Sequence, residues 1–104
     1  MTYKLIFSKE AANDIDELFQ YISVSLFSPI AAKNLMQEID TAISLLKEQP
    51  FMCPLCSDEV LKEMNYRRLI VQNYIIIYSV NEKSQAVNIL RLFYGKSDYL
   101  KYLK

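Results

Sequence analysis

The chain has no histidine, one glycine and two cysteines among its 104 residues. Each shortage removes a class of function. Without histidine there is no Ser-His-Asp triad, no Cys-His pair and no ordinary zinc site, since each needs an imidazole to move a proton or hold the metal. With one glycine there is no phosphate-cradling loop and no dinucleotide fingerprint, whose turns need several residues lacking a Cβ. These gaps run against a hydrolase or nucleotide-dependent enzyme of ordinary design, and no cofactor or metal is expected. Two cysteines are too few for a secreted disulfide scaffold. No apolar run approaches the roughly 20 residues of a membrane helix. Met1-Thr2-Tyr3-Lys4 leads straight into a strand-like stretch, without the charged and apolar regions of a secretion signal. The expectation is a cytoplasmic protein with no membrane partner.

What is present belongs to a folded globular chain. Hydrophobic residues make up 52%, and this length fits one domain over residues 1–104. Such a chain buries about two-thirds of its unfolded surface without disulfides or metals. Net charge is zero, yet residues 1–50 carry four lysines against seven carboxylates, whereas residues 51–104 carry eight cations against five. All three arginines lie in the second half. Either surface charge is scattered by chance or one face prefers an anionic partner.

Tyr3 to Phe7 reads as a short strand of bulky residues. Ser8 stands at a helix N-cap position, and Glu10, Asp14, Asp16 and Glu17 favour the N-terminal half of the helix that follows. Ala11, Ile15, Leu18 and Ile22 form its apolar stripe. That helix should stop near Ser25 to Phe27. Ser28-Pro29 restarts it, with proline at a first helical position where its missing N–H costs nothing. A second stripe (Ala32, Leu35, Ile39, Ala42, Ile43, Leu46) runs to about Gln49, and Pro50 ends it. The short turn predicts an antiparallel helical hairpin whose stripes face one core. After an irregular stretch over 50–65 come three strand-like runs, Tyr66 to Val71, Tyr74 to Val80 and Ala86 to Tyr94, separated by hairpin-length turns. Ser97 is placed to cap a short final helix carrying Tyr99, Leu100, Tyr102 and Leu103. The predicted fold class is α+β: β-α-α-β-β-β-α, a helical hairpin on one face of an antiparallel sheet of about four strands. The first strand joins the sheet edge. The opposite face is expected to stay open to a partner.

Cys53-Pro54-Leu55-Cys56 matches C-x-x-C. A redox pair of this kind usually opens a helix after a strand, because the helix N-terminus lowers the thiol pKa. Here it follows a helix and precedes Asp58 and Glu59, which raise it. Ordinary loop cysteines, an incidental or regulatory disulfide, and a zinc bridging two copies all remain open readings.

The basic and aromatic set of the second half is the best functional candidate: Arg67, Arg68, Arg91, Tyr94, Lys96 and Tyr99. Arginine presents a planar fork to phosphate or carboxylate oxygens, and tyrosine a stacking face or a hydroxyl. Only one of Arg67 and Arg68 can share a sheet face with Arg91, since strand side chains alternate. The plainer alternative is that the tyrosines fill the core and the arginines pair with nearby carboxylates.

Three segments resemble the RelE/ParE toxin superfamily of type II toxin–antitoxin systems. They are SKEAANDIDELFQYI from Ser8 to Ile22, IDTAISLLKEQP from Ile39 to Pro50, and the run from Tyr66 to Asp98 with YRRLIVQNYIIIYSV and VNILRLFYGKSD. The first segment and the long helical hairpin are closer to the ParE branch. The resemblance implies a cytoplasmic toxin with a cognate antitoxin that lays an extended, partly helical segment along it. DNA would be met only indirectly, through that antitoxin. ParE-like members inhibit DNA gyrase; RelE-like members are ribosome-dependent mRNA endoribonucleases. Arg91 matches the last-strand arginine of the nuclease branch, and Tyr94 its terminal aromatic or histidine position. These two would be catalytic only in a RelE-like protein. The middle late strand, Tyr74-Ile75-Ile76-Ile77-Tyr78, lacks the basic residue of that branch. The resemblance therefore implies a ParE-like toxin first, an mRNA endoribonuclease second and a non-toxic interaction module third. An adjacent small gene for a DNA-binding protein with an acidic C-terminal half would favour the toxin readings.

Overall fold

The computed structural model describes residues 2–95. The expected C-terminal helix, and with it Lys96 and Tyr99, lies outside the described residues. The element order is β1 (Lys4–Phe7), α1 (Lys9–Gln20), a π-helical turn (Tyr21–Ser25), α2 (Pro29–Leu45), α3 (Glu59–Glu63), β2 (Arg67–Val71), β3 (Tyr74–Asn81) and β4 (Ala86–Tyr94). The α+β architecture and the β-α-α-β-β-β order match the sequence reading, with α3 as an addition.

Local chemistry starts and stops the helices where the residues indicate. The Ala11 N–H donates to Ser8 Oγ at 2.9 Å, and Ser8 Oγ itself donates to Leu90 O at 2.7 Å. One hydroxyl thus caps α1 and fastens it to β4. Past Gln20 the helix widens, with the Leu26 N–H donating to Tyr21 O across five residues. Phe27 then takes φ 51°, and Pro29 opens α2. The Ser28 side chain makes no cap bond; it donates to Leu26 O instead.

The helical hairpin covers one sheet face. Ala11, Leu35, Ile39, Ile43 and Leu46 bury against Leu69, Val71, Ile76, Tyr78, Val87, Ile89 and Leu92, with Ile15, Leu18 and Ile22 packed at the margin.

Two expectations need correction. The sheet is mixed rather than wholly antiparallel. Its order is β1-β4-β3-β2, and β1 runs parallel to β4, Leu5 opposite Val87 and Phe7 opposite Ile89. The two hairpins β2-β3-β4 bring the last strand back to the middle of the sheet, alongside the first. A sequence of four strands does not show this, because the pairing is set by which side chains bury together.

The opposite face is also not left open. Cys56, Leu61, Ile77 and Phe93 form a second buried cluster, with Tyr66, Ile75 and Leu90 against it. The segment before β2 builds this cover. The Cys56 N–H donates to Tyr66 O at 2.9 Å and the Arg68 N–H to Pro54 O at 3.2 Å, so residues 54–56 pair along the outer edge of β2. Asp58 then caps α3 through the Leu61 N–H, which swings Leu61 over the sheet. The physical reason is that Ile75, Ile77, Leu90 and Phe93 present apolar surface on that side, and the chain's own irregular segment is the nearest cover. Ile70, on the same face, stays exposed.

Candidate functional site

The candidate arginines are distributed by one irregularity in β4. Val87 and Ile89 alternate inward onto the helical core, and strict alternation would carry Arg91 inward too. The register shifts instead: Tyr78 stands opposite Ile89, but Ile77 stands opposite Arg91, which leaves Leu90 as the extra residue of a bulge. Beyond it, Leu92 takes the inward position and Arg91 turns to the other face. Arg68 also lies opposite Ile77. Arg68, Ile77 and Arg91 therefore form one row across the face away from the helices, and Arg67 falls on the helical face, opposite Tyr78.

Arg91 is engaged within the chain. Its Nε donates to Asp14 Oδ2 at 2.8 Å and its Nη2 to Asp14 Oδ1 at 3.1 Å, a two-pronged pair. The Leu92 N–H donates to the same Oδ2 at 3.0 Å. That position follows from the length of β1. The strand stops at Phe7, so β4 beyond Ile89 has no parallel partner among the described residues, and the Asp14 carboxylate from α1 accepts the bond that a longer strand would take. The guanidinium also lies 4.9 Å from the Phe93 ring centre. The Arg91 side chain is 25% exposed and that of Asp14 13%. An arginine reaching freely from an open face, as the sequence suggested, is not what forms.

Arg67 is held too. Its Nη1 donates to Cys53 O at 2.6 Å, and its guanidinium stacks 5.0 Å from the centre of Phe51. Arg68 Nε is buried with no hydrogen-bond partner among the described residues. Tyr94 does not join Arg91. It lies on the helical face, edge-on to Tyr74 with ring centres 5.6 Å apart. Burial raises the Tyr74 phenol above its ordinary range, with smaller contributions from Tyr94 and Tyr21, so three tyrosines gather at this end of the sheet. Of the six candidates, Arg68 and Arg91 share one face and Arg67 and Tyr94 the other.

Asp14 was missed as a site residue, although the sequence carried a signal. It sits three residues after Ala11 and four before Leu18, a charge on the apolar stripe itself. A carboxylate there needs a buried partner.

Cys53 is half-buried and Cys56 buried, both as free thiols. Burial pushes the Cys56 thiol up; Arg68 partly offsets this and Asp58 adds to it. That is the reverse of an activated thiolate. Among the described residues no group of three or more metal-ligating side chains comes together, and no helix is long and apolar enough to cross a membrane.

Two surface features lie at the β1 side of the sheet. Among the described residues the outer edge of β1 carries no strand, since there β1 pairs only with β4. Beside it, a hollow of about 310 Å³ opens between α1 and α2, lined by Phe7, Ile15, Met36, Ile39, Asp40 and Ile43.

Comparison with known proteins finds a match over residues 5–99 to the model of the ParE toxin of the type II toxin–antitoxin system parDE. No curated protein sequence matches the chain. Among solved structures, it resembles a chain of the chromosomal ParDE toxin–antitoxin system from P. aeruginosa. The TM-score is 0.72 at 18% identity, covering 91% of this chain and 98% of that one. It also resembles chains of the RelBE2 toxin–antitoxin complex from Mycobacterium tuberculosis (TM-score 0.63, 17% identity, 90% and 99% covered) and of the intact E. coli RelBE complex (0.57, 13%, 91% and 99%). At these identities the structural likeness establishes the fold.

Proposed function

Because the chain belongs to the ParE toxin family of type II toxin–antitoxin systems, we propose that it arrests growth by binding a cellular target, DNA gyrase, with no chemical step of its own. The observation that carries this reading is the Asp14–Arg91 pair. Cleaving RNA through its own 2′-OH requires a proton acceptor, a cation on the strained phosphate and a proton donor to the leaving oxygen, all around one atom. Arg91 is committed to Asp14 and Phe93, Tyr94 stands on the other face, and β3 carries no charge over Tyr74–Tyr78. These positions support binding rather than cleavage.

The inhibiting partner is a cognate antitoxin. The three structural relatives described above come from toxin–antitoxin systems or complexes. The hollow between α1 and α2 and the open edge of β1 suit a segment that is part helix, part extended chain, since the first takes an apolar helix face and the second offers backbone donors and acceptors.

The test is a supercoiling assay with purified chain and gyrase, run beside an in vitro translation reaction with mRNA. Inhibited supercoiling with intact mRNA is the expected result, reversed by the protein encoded next to the gene. Unimpaired supercoiling at saturating chain rules out the gyrase reading. Codon-linked mRNA cleavage that disappears in Arg91→Ala would install the endoribonuclease reading in its place.

A further inference from the structure

We infer that the tip of the helical hairpin is a self-association surface that takes a second copy of this chain. Between Glu17 and Lys33 the sequence has no charged residue. The structure turns most of the large side chains of this stretch outward: Tyr21 is 56% exposed, Val24 61%, Leu26 51%, Phe27 88% and Ile30 76%.

The patch is held rather than loose. The Leu26 N–H donates to Tyr21 O, that of Phe27 to Val24 O and that of Ser28 to Ile22 O, while Ser23 Oγ donates to Phe19 O. Phe27 itself has φ 51°, in the left-handed region that a bulky side chain disfavours and glycine or asparagine accepts. A phenylalanine here is strained in its backbone and wet on its ring, so neither local conformation nor core burial accounts for it. Such a position points to a contact outside the monomer.

Size and charge favour a second copy as the occupant. An aromatic side chain carries about 150–250 Å², and the five side chains together leave on the order of 600 Å² uncovered. A standard association takes about 800 Å² from each partner. Phe19 and the uncharged serines 23, 25 and 28 bring the tip near that size. In a two-fold contact the same patch faces itself, so a charge near the axis would meet its own copy and repel it. A stretch free of charge meets that condition without any complementary partner. The contact is at the small end of specific interfaces, where transient associations sit, and we expect the dimer in the micromolar range.

Sedimentation equilibrium of the full chain, freed of antitoxin, tests this beside two variants. Phe27→Asn suits the left-handed backbone. Ile30→Glu puts an acid in the first turn of α2, where the helix dipole favours it. Both should therefore keep the fold, checked by circular dichroism. The expected result is a wild-type mass rising toward twice the chain mass with concentration, and a dissociation constant raised tenfold or more in each variant. A wild-type chain that stays a single copy throughout the micromolar range overturns the inference. So does a dimer that both variants keep, and so does a single-copy chain whose variants lose only antitoxin or gyrase binding.

Discussion

Asp14 and Arg91, 77 residues apart in the chain, meet through two hydrogen bonds, while the Leu92 backbone N–H shares the Asp14 carboxylate. One carboxylate thereby completes a strand edge and fixes a cation. Removing either partner leaves the other part-buried and uncompensated, which costs more than the pair's net worth. Asp14→Ala is expected to destabilise the chain by about 2–4 kcal/mol and Arg91→Ala by about 1–3 kcal/mol. Asp14→Asn retains an acceptor for Leu92 and should fall below Asp14→Ala. Urea unfolding of the two alanine variants and the double variant gives the coupling, expected at about 1–2 kcal/mol. Additive effects would show that the two side chains do not act as a pair.

The Tyr78 hydroxyl, fully buried, donates to Pro50 O at 3.0 Å and ties the end of the helical region to β3. Tyr78→Phe strands that carbonyl and should cost about 1–2 kcal/mol. Burial, with a contribution from the Cys53 thiol, holds the phenol well above its ordinary pKa of 10.0. The folded chain therefore keeps a proton that the unfolded chain releases. Its stabilising effect is whole below pH 10 and declines as pH rises past that value. Unfolding free energies measured from pH 8 to 11 should fall with a steeper slope in wild type than in Tyr78→Phe. Equal slopes would contradict the assignment.

Gly95 closes the β3-β4 pairing, its N–H donating to Asn73 O. A Cβ there would stand 2.8 Å from that same backbone oxygen. Gly95→Ala must push the two strands apart, with an expected loss of about 1–2 kcal/mol and a looser Tyr74–Tyr94 contact. Thermal unfolding and near-ultraviolet circular dichroism report the two effects. An unchanged midpoint and spectrum would show that the strands accommodate the methyl group.

The two thiols should differ in reactivity. Cys56 is buried and its thiol is pushed up by that burial, whereas Cys53 is half-buried. Alkylation of the native chain is expected to label Cys53 first and Cys56 only on unfolding. Equal labelling rates would mean that the segment covering the second cluster opens readily.

Much of this architecture was legible from local chemistry. Ser8 as a cap, proline at the start of α2, the two apolar stripes and the aliphatic run of β3 each carry their own signal, because a cap or an amphipathic period is decided within a few residues. The parallel placement of β1 and the position of β4 in the sheet carry none, since both depend on partners more than 70 residues away. The second cluster left a partial trace. Cys56, Leu61 and Tyr66 are apolar residues in a stretch without regular period, and Ser57-Asp58 ahead of Val60-Leu61 is a readable helix start. The side on which Arg91 emerges was beyond alternation, because a single inserted residue, Leu90, reverses the parity of the strand after it.

The sheet order β1-β4-β3-β2 has a consequence for synthesis. The last of the described strands, β4, is the one that joins β1 to the rest. Until residues 86–94 are in place, β1 has no strand to pair with and β3 has one bare edge. Before that the nascent chain can hold the β2-β3 hairpin with α2 against it. The first strand is therefore made early and paired late, so β1 and α1 join the β2-β3 hairpin only once β4 has been made.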